Sequence, residues 1–101
     1  MAKKPVVWSV NAQQNRIDIL NYWIERNRSR TYANKLFRIF KQATAFISEH
    51  PAIGKPTSTP GIRIKIVGDY LMFYEDQPER IEILLIWDSR QNPKQLPNLT
   101  S

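Results

Sequence analysis

Gly61-Ile62-Arg63-Ile64-Lys65-Ile66-Val67-Gly68-Asp69-Tyr70-Leu71-Met72-Phe73-Tyr74, continued by Ile81-Glu82-Ile83-Leu84-Leu85-Ile86-Trp87-Asp88-Ser89-Arg90, is the stretch whose reading decides the fold. Ile62, Ile64 and Ile66 alternate with Arg63 and Lys65, the period-two pattern of a strand with one buried and one wet face. The next two runs are apolar at nearly every position, as central strands are when both faces are covered. Val67-Gly68-Asp69-Tyr70 predicts a two-residue hairpin turn, because Gly supplies the positive φ of a primed turn and Asp tolerates it. Three antiparallel strands follow. Arg63 and Lys65 then share a face, about 7 Å apart at two residues' rise. That face is either a solvated strand surface that resists register slippage or a surface that meets phosphate.

Working outward, Val6-Val7-Trp8-Ser9-Val10 reads as a short N-terminal strand. Asn11 with Gln14 makes a capping box for the helix that follows, whose core stripe is Ile17, Leu20 and Ile24. A second helix starts near Arg30 with Ser29 as N-cap. Its apolar stripe is Ala33, Leu36, Phe37, Phe40, Thr44 and Ile47, widened by Ile39, Ala43 and Phe46. His50-Pro51 ends it, since proline disfavours helical geometry in the residue before it, and residues 51–60, with three prolines and Gly54, form a loop. The predicted fold is α+β, in the order βααβββ. An antiparallel sheet carries a helical hairpin on one face, and the other face is left to Arg63 and Lys65.

With 101 residues, residues 1–101 form a single domain. Fifteen Lys and Arg against nine Asp and Glu give a net charge of +6, which suits an anionic partner such as nucleic acid or an acidic protein. There is no cysteine, hence no disulfide or thiolate metal site, which fits the cytoplasm. The apolar run after Lys3-Lys4 is too short for a signal peptide or a membrane span. His50, the sole histidine, suits a helix C-terminus better than a metal site or triad, and no cofactor motif appears. Arg26, Arg28 and Arg30, with Arg38 and Lys41, make the helical hairpin basic, either as a solvated face or as a docking surface for an acidic partner. Arg90 follows the last strand, where it is expected to reach over the sheet towards Lys65.

The strand order, the basic strand before Gly68-Asp69-Tyr70, His50-Pro51 through Gly54, and the last strand running into Asp88-Ser89-Arg90-Gln91-Asn92-Pro93 together resemble the RelE/ParE superfamily of bacterial toxins, over Trp8 to about Leu96. The resemblance implies the toxin of a type II toxin–antitoxin pair, such as a plasmid-stabilisation protein. A cognate acidic antitoxin would neutralise it, and operator DNA would be met only through that antitoxin. RelE-like members cut mRNA on the ribosome without a metal, as mRNA interferases. ParE-like members bind and poison DNA gyrase. Arg63, Lys65 and Arg90 match basic positions of the nuclease branch, with Tyr70 and Tyr74 as further candidates. That branch's arginine after the Tyr is Leu71 here, and its C-terminal tyrosine falls near Leu96. The balance favours the gyrase-binding mode. The alternatives are a ribosome-dependent endoribonuclease with an incomplete basic site, and a non-toxic nucleic-acid-binding module.

Overall fold

A computed structural model describes residues 3–91 of the chain. Its elements are β1 (Val6–Trp8), α1 (Val10–Asn27), α2 (Thr31–Glu49), β2 (Lys55–Pro56), β3 (Ile62–Val67), β4 (Tyr70–Asp76) and β5 (Ile81–Asp88). The sheet order is β1-β5-β4-β3-β2. The three C-terminal strands pair antiparallel as the sequence predicts. β1 instead joins β5 in parallel, with Val6 opposite Ile81 and Trp8 opposite Ile83, so the sheet is mixed. The two-residue strand β2 carries the chain along the β3 edge before it turns into β3. As a result β3, and after two hairpin reversals β5, run in the direction of β1. No helix among the described residues is long and apolar enough to cross a membrane.

Both helices lie on one face. The main core joins Ala12, Leu36, Phe40, Ala43 and Ile47 to Val67, Tyr70, Met72, Tyr74, Ile81, Ile83 and Ile86 of the sheet. A second, smaller cluster of Ile62, Phe73 and Leu85, with Ile64, Leu71, Leu84 and Trp87 around it, occupies the opposite face. β4 and β5 read as apolar on both sides because each feeds both clusters. A bulge adds to this: Phe73 faces Leu85 while Tyr74 faces Ile83, so Leu84 is an extra residue and both leucines pack on the same side. At the β3–β4 turn only Gly68 has positive φ, at 60°, which is the type II′ pattern.

The entry to α1 differs from the sequence reading. β1 ends at Trp8, and the helix begins at Val10 with Ser9 as N-cap in place of Asn11. Ser9 Oγ accepts the Ala12 N–H at 3.0 Å and donates to the Leu84 carbonyl at 2.9 Å, so one hydroxyl caps the helix and ties it to β5. The inward stripe of α1 is also shifted: Ala12, Ile19, Leu20 and Trp23 pack on the core, while Ile17 stands 47% exposed. Trp23 sets this rotation by donating its indole N–H to the Tyr70 hydroxyl at 2.8 Å. In α2 the predicted stripe holds, except that Phe37 and Phe46 sit at its margins, 41% and 44% exposed. Thr31 begins α2, and Ser29 Oγ accepts the Thr31 N–H from one residue before the cap position. Replacing Ser9 by Ala is expected to cost about 1–2 kcal/mol, the size of a lost N-cap, in chemical denaturation. Asn11→Ala should leave the denaturation midpoint nearly unchanged.

Candidate functional site

The positions of Arg63 and Lys65 follow from the turn. Val67 lies opposite Tyr70 and both belong to the helix-side core, so stepping back in twos puts Lys65 and Arg63 on that same face. This reverses the expectation that they would look out from the helix-free face. The isoleucines, which the alternation alone could not orient, take the other side. Arg63 lies beyond the end of α2 and donates through Nη1 to the carbonyls of Gly54 at 2.8 Å and Ala52 at 3.4 Å. Lys65 Nζ stands 5.8 Å from the centre of the Phe46 ring. His50 is the C-cap residue of α2, as its position before Pro51 predicts, and its ring lies against Phe46 at 4.8 Å.

Tyr74 completes the same corner. Its side chain is fully buried, and its hydroxyl accepts the Gly54 N–H at 2.9 Å and donates to the Pro51 carbonyl at 2.6 Å. Burial pushes this phenol above its ordinary pKa. A proton held by a carbonyl on a group of raised pKa is poorly suited to acid–base exchange with a substrate. Gly54 is required here because a Cβ would lie 2.7 Å from Tyr74 Oη and 2.9 Å from the Ile64 carbonyl oxygen. The spacing from Pro51 to Gly54 is therefore a fastening of the loop to the sheet.

Tyr70 and Arg90 belong to another place, the groove between α1 and β5. A cavity of about 540 Å³ there is bordered by Asn15, Asp18, Tyr22, Tyr70, Trp87 and Arg90. Burial also raises the Tyr70 phenol, whose oxygen takes the Trp23 indole proton. Arg90 closes on Asp88 as a fork, Nε to Oδ1 at 2.9 Å and Nη2 to Oδ2 at 2.8 Å. That hydrogen-bonded guanidinium holds the Asp88 carboxyl below the usual carboxylate range. Arg63 is in register with Tyr74 and through it with Ile83, whereas Arg90 lies beyond Asp88. Four residues of β4, Tyr70 to Tyr74, separate those rows, about 14 Å at ~3.4 Å per residue. Arg90 is turned onto Asp88 rather than over the sheet to Lys65, whose ammonium stands at the Phe46 ring, so the three cations do not converge. Leu71 sits on the opposite face in the cluster around Phe73 and Trp87.

The basic residues that the sequence singles out on the helical hairpin are exposed. Arg26, Arg28 and Arg30 surround its turn, where Arg28 adopts the left-handed conformation, φ 50°, as C-cap of α1. Arg38 is on the outer surface of α2. Lys41 alone of these lines a cavity, about 220 Å³, with Val6, Trp8, Phe37, Phe40 and Arg16. Arg16 was not singled out by the sequence reading. Its guanidinium stacks 4.3 Å from the Trp8 ring centre and 5.9 Å from that of Phe37. Its place between Ala12 and Ile19 on the inward side of α1 emerges only with the rotation that the structure gives this helix, and there a charge requires a partner. Leu96 and Asn92-Pro93 lie outside the described residues.

Residues 6–93 match the family described as the ParE toxin of type II toxin–antitoxin systems, parDE. The chain belongs to the ParE toxin family. A solved structure of a chromosomal ParDE toxin–antitoxin system from P. aeruginosa shares its fold, with a TM-score of 0.74 at 16% identity, covering 85% of this chain and 96% of that one. No curated protein sequence matches it significantly. As a type II toxin, this ParE-family chain has an antitoxin partner.

Three outcomes follow from the geometry of this toxin. Tyr74→Phe leaves the Pro51 carbonyl and Gly54 N–H without their partner and should cost about 1–3 kcal/mol by denaturation. Gly54→Ala should cost a similar ~1–3 kcal/mol through overpacking. The Asp88 carboxyl has a lowered native pKa, so its stabilising contribution is present above the unfolded value and is lost as pH falls through the native one. Acid titration should therefore show a stability loss below the ordinary carboxylate range that is smaller in Asp88→Asn.

Proposed function

We propose that this toxin acts by binding and poisoning DNA gyrase, with no bond-breaking chemistry of its own. The observation that carries this reading is the dispersal of its cations. Stabilising the charge that develops on a phosphate needs several donors aimed at one point, and removal of one donor typically costs about 10²–10³ in rate. Here Arg63 is spent on two loop carbonyls and Arg90 is paired with Asp88. Leu71 faces the side of the sheet away from Arg63 and Lys65. Tyr74 holds its proton on a main-chain carbonyl, and Tyr70 lies in the other groove. Membership of the ParE family supports the same reading.

Induction of the toxin is expected to produce DNA breaks and filamentation, with mRNA 5′ ends unchanged at ribosomal A-site positions. Mapping those ends after induction decides the target. Codon-phased cleavage that disappears in Arg90→Ala, with the fold intact, would overturn the gyrase reading and make the protein a RelE-like endoribonuclease.

A further inference from the structure

The outer edge of β1 is unpaired where the sheet stops. In the parallel register the main-chain groups of Val7 face β5, between the Ile81 N–H to Pro5 carbonyl bond and the Ser9 N–H to Ile83 carbonyl bond. Those of Val6 and Trp8 therefore point outward. The Trp8 carbonyl accepts Gln13 Nε2 at 3.3 Å, and Ser48 Oγ reaches the neighbouring Lys4 carbonyl. The Val6 N–H, the Val6 carbonyl and the Trp8 N–H have no partner among the described residues. Beside this edge, on the helix side, lies the 220 Å³ cavity with Trp8, Phe37 and Phe40 as walls. Arg16 is stacked over Trp8, and Lys41 borders the same cavity.

We propose that this edge and groove form a docking site for an extended polypeptide segment carrying an apolar and an acidic side chain two residues apart. Strand addition would pair the free groups of Val6 and Trp8. Side chains two apart point to the same side of a strand, so both would enter the groove, the apolar one against Trp8, Phe37 and Phe40 and the carboxylate against Arg16 and Lys41. A second copy of this chain fits poorly, since edge-to-edge pairing would bring the Arg16 and Lys41 cations of two copies together. The site rests on the family assignment, which supplies a protein partner, and is independent of whether the target is gyrase or mRNA.

The probe is a short capped peptide of Leu-Thr-Glu-Thr repeats added to the full chain and followed by NMR. Binding should slow hydrogen exchange at the Val6 and Trp8 amides. Lys41→Glu and Arg16→Gln should each weaken it about tenfold or more, while Arg26→Glu at the hairpin tip has little effect. A peptide with Lys in place of Glu should not bind, and added salt should weaken the complex. Absence of binding, binding that leaves the Val6 and Trp8 amides untouched, or an Arg26→Glu loss equal to that of Lys41→Glu would each overturn the proposal. Growth arrest on induction is read separately: a toxic chain that ignores the peptide removes the docking site alone, and A-site cleavage removes the gyrase reading alone.

Discussion

The pairing of Val67 with Tyr70 across a two-residue turn is the constraint on which most of the molecule depends. Because strand side chains alternate, a register shift of one residue would move Arg63 and Lys65 from the helix side to the far side and bring Ile62, Ile64 and Ile66 under the helices. Gly68 prevents this, since its positive φ closes the turn at one place only. The helix-side position of Val67 and Tyr70 then fixes what α1 and α2 must cover. Tyr70 receives the Trp23 indole proton and meets Phe40 edge-on with ring centres 5.6 Å apart, so a single strand residue orients both helices.

That register also sets the fate of the cations. Once Arg63 is on the helix side, the nearest unsatisfied acceptors are the carbonyls of the loop leaving α2, and a guanidinium can serve two of them. Tyr74, in register with Arg63 on β4, takes the remaining groups of the same loop, the Pro51 carbonyl and the Gly54 N–H. A loop of prolines, glycine and exposed residues, with little apolar surface to bury, is thus held by polar contacts from the sheet. Arg63 and Tyr74 direct their hydrogen bonds at the chain's own backbone.

The three C-terminal antiparallel strands, the hairpin turn, the α2 stripe and the single-face helix packing could all be read in the sequence, because each is carried by local periodicity or a turn residue; the parallel place of β1 beside β5 and the two-residue β2 could not. What could not be read depends on tertiary contacts. Alternation in β3 shows that the isoleucines and the cations take opposite faces but not which face meets the helices, and the charged face looked like the outer one. Ser9 outcompetes Asn11 as a cap because its hydroxyl also satisfies Leu84, a contact 75 residues away. Ile17 fits the sequence pattern of a core stripe, but the hydroxyl of Tyr70 holds Trp23 and turns α1 so that Ile17 stands exposed. The bulge at Leu84 was hidden inside an apolar run that has the same composition with or without it.

A net charge of +6 attracts an acidic partner from any direction within a Debye length of about 8 Å at physiological salt, and so explains encounter better than residence. Residence depends on cations that are already ordered. Exposed arginines such as Arg26 and Arg30 at the hairpin turn must lose side-chain freedom to hold a carboxylate, which consumes most of what a surface ion pair gains. Arg16 has surrendered much of that freedom by stacking on Trp8, beside apolar walls and unpaired main-chain groups. The dispersed charge and the ordered groove therefore divide the work of recognition, steering by the first and fit by the second. This division needs none of the three strand and loop cations that a phosphate-cleaving site would require.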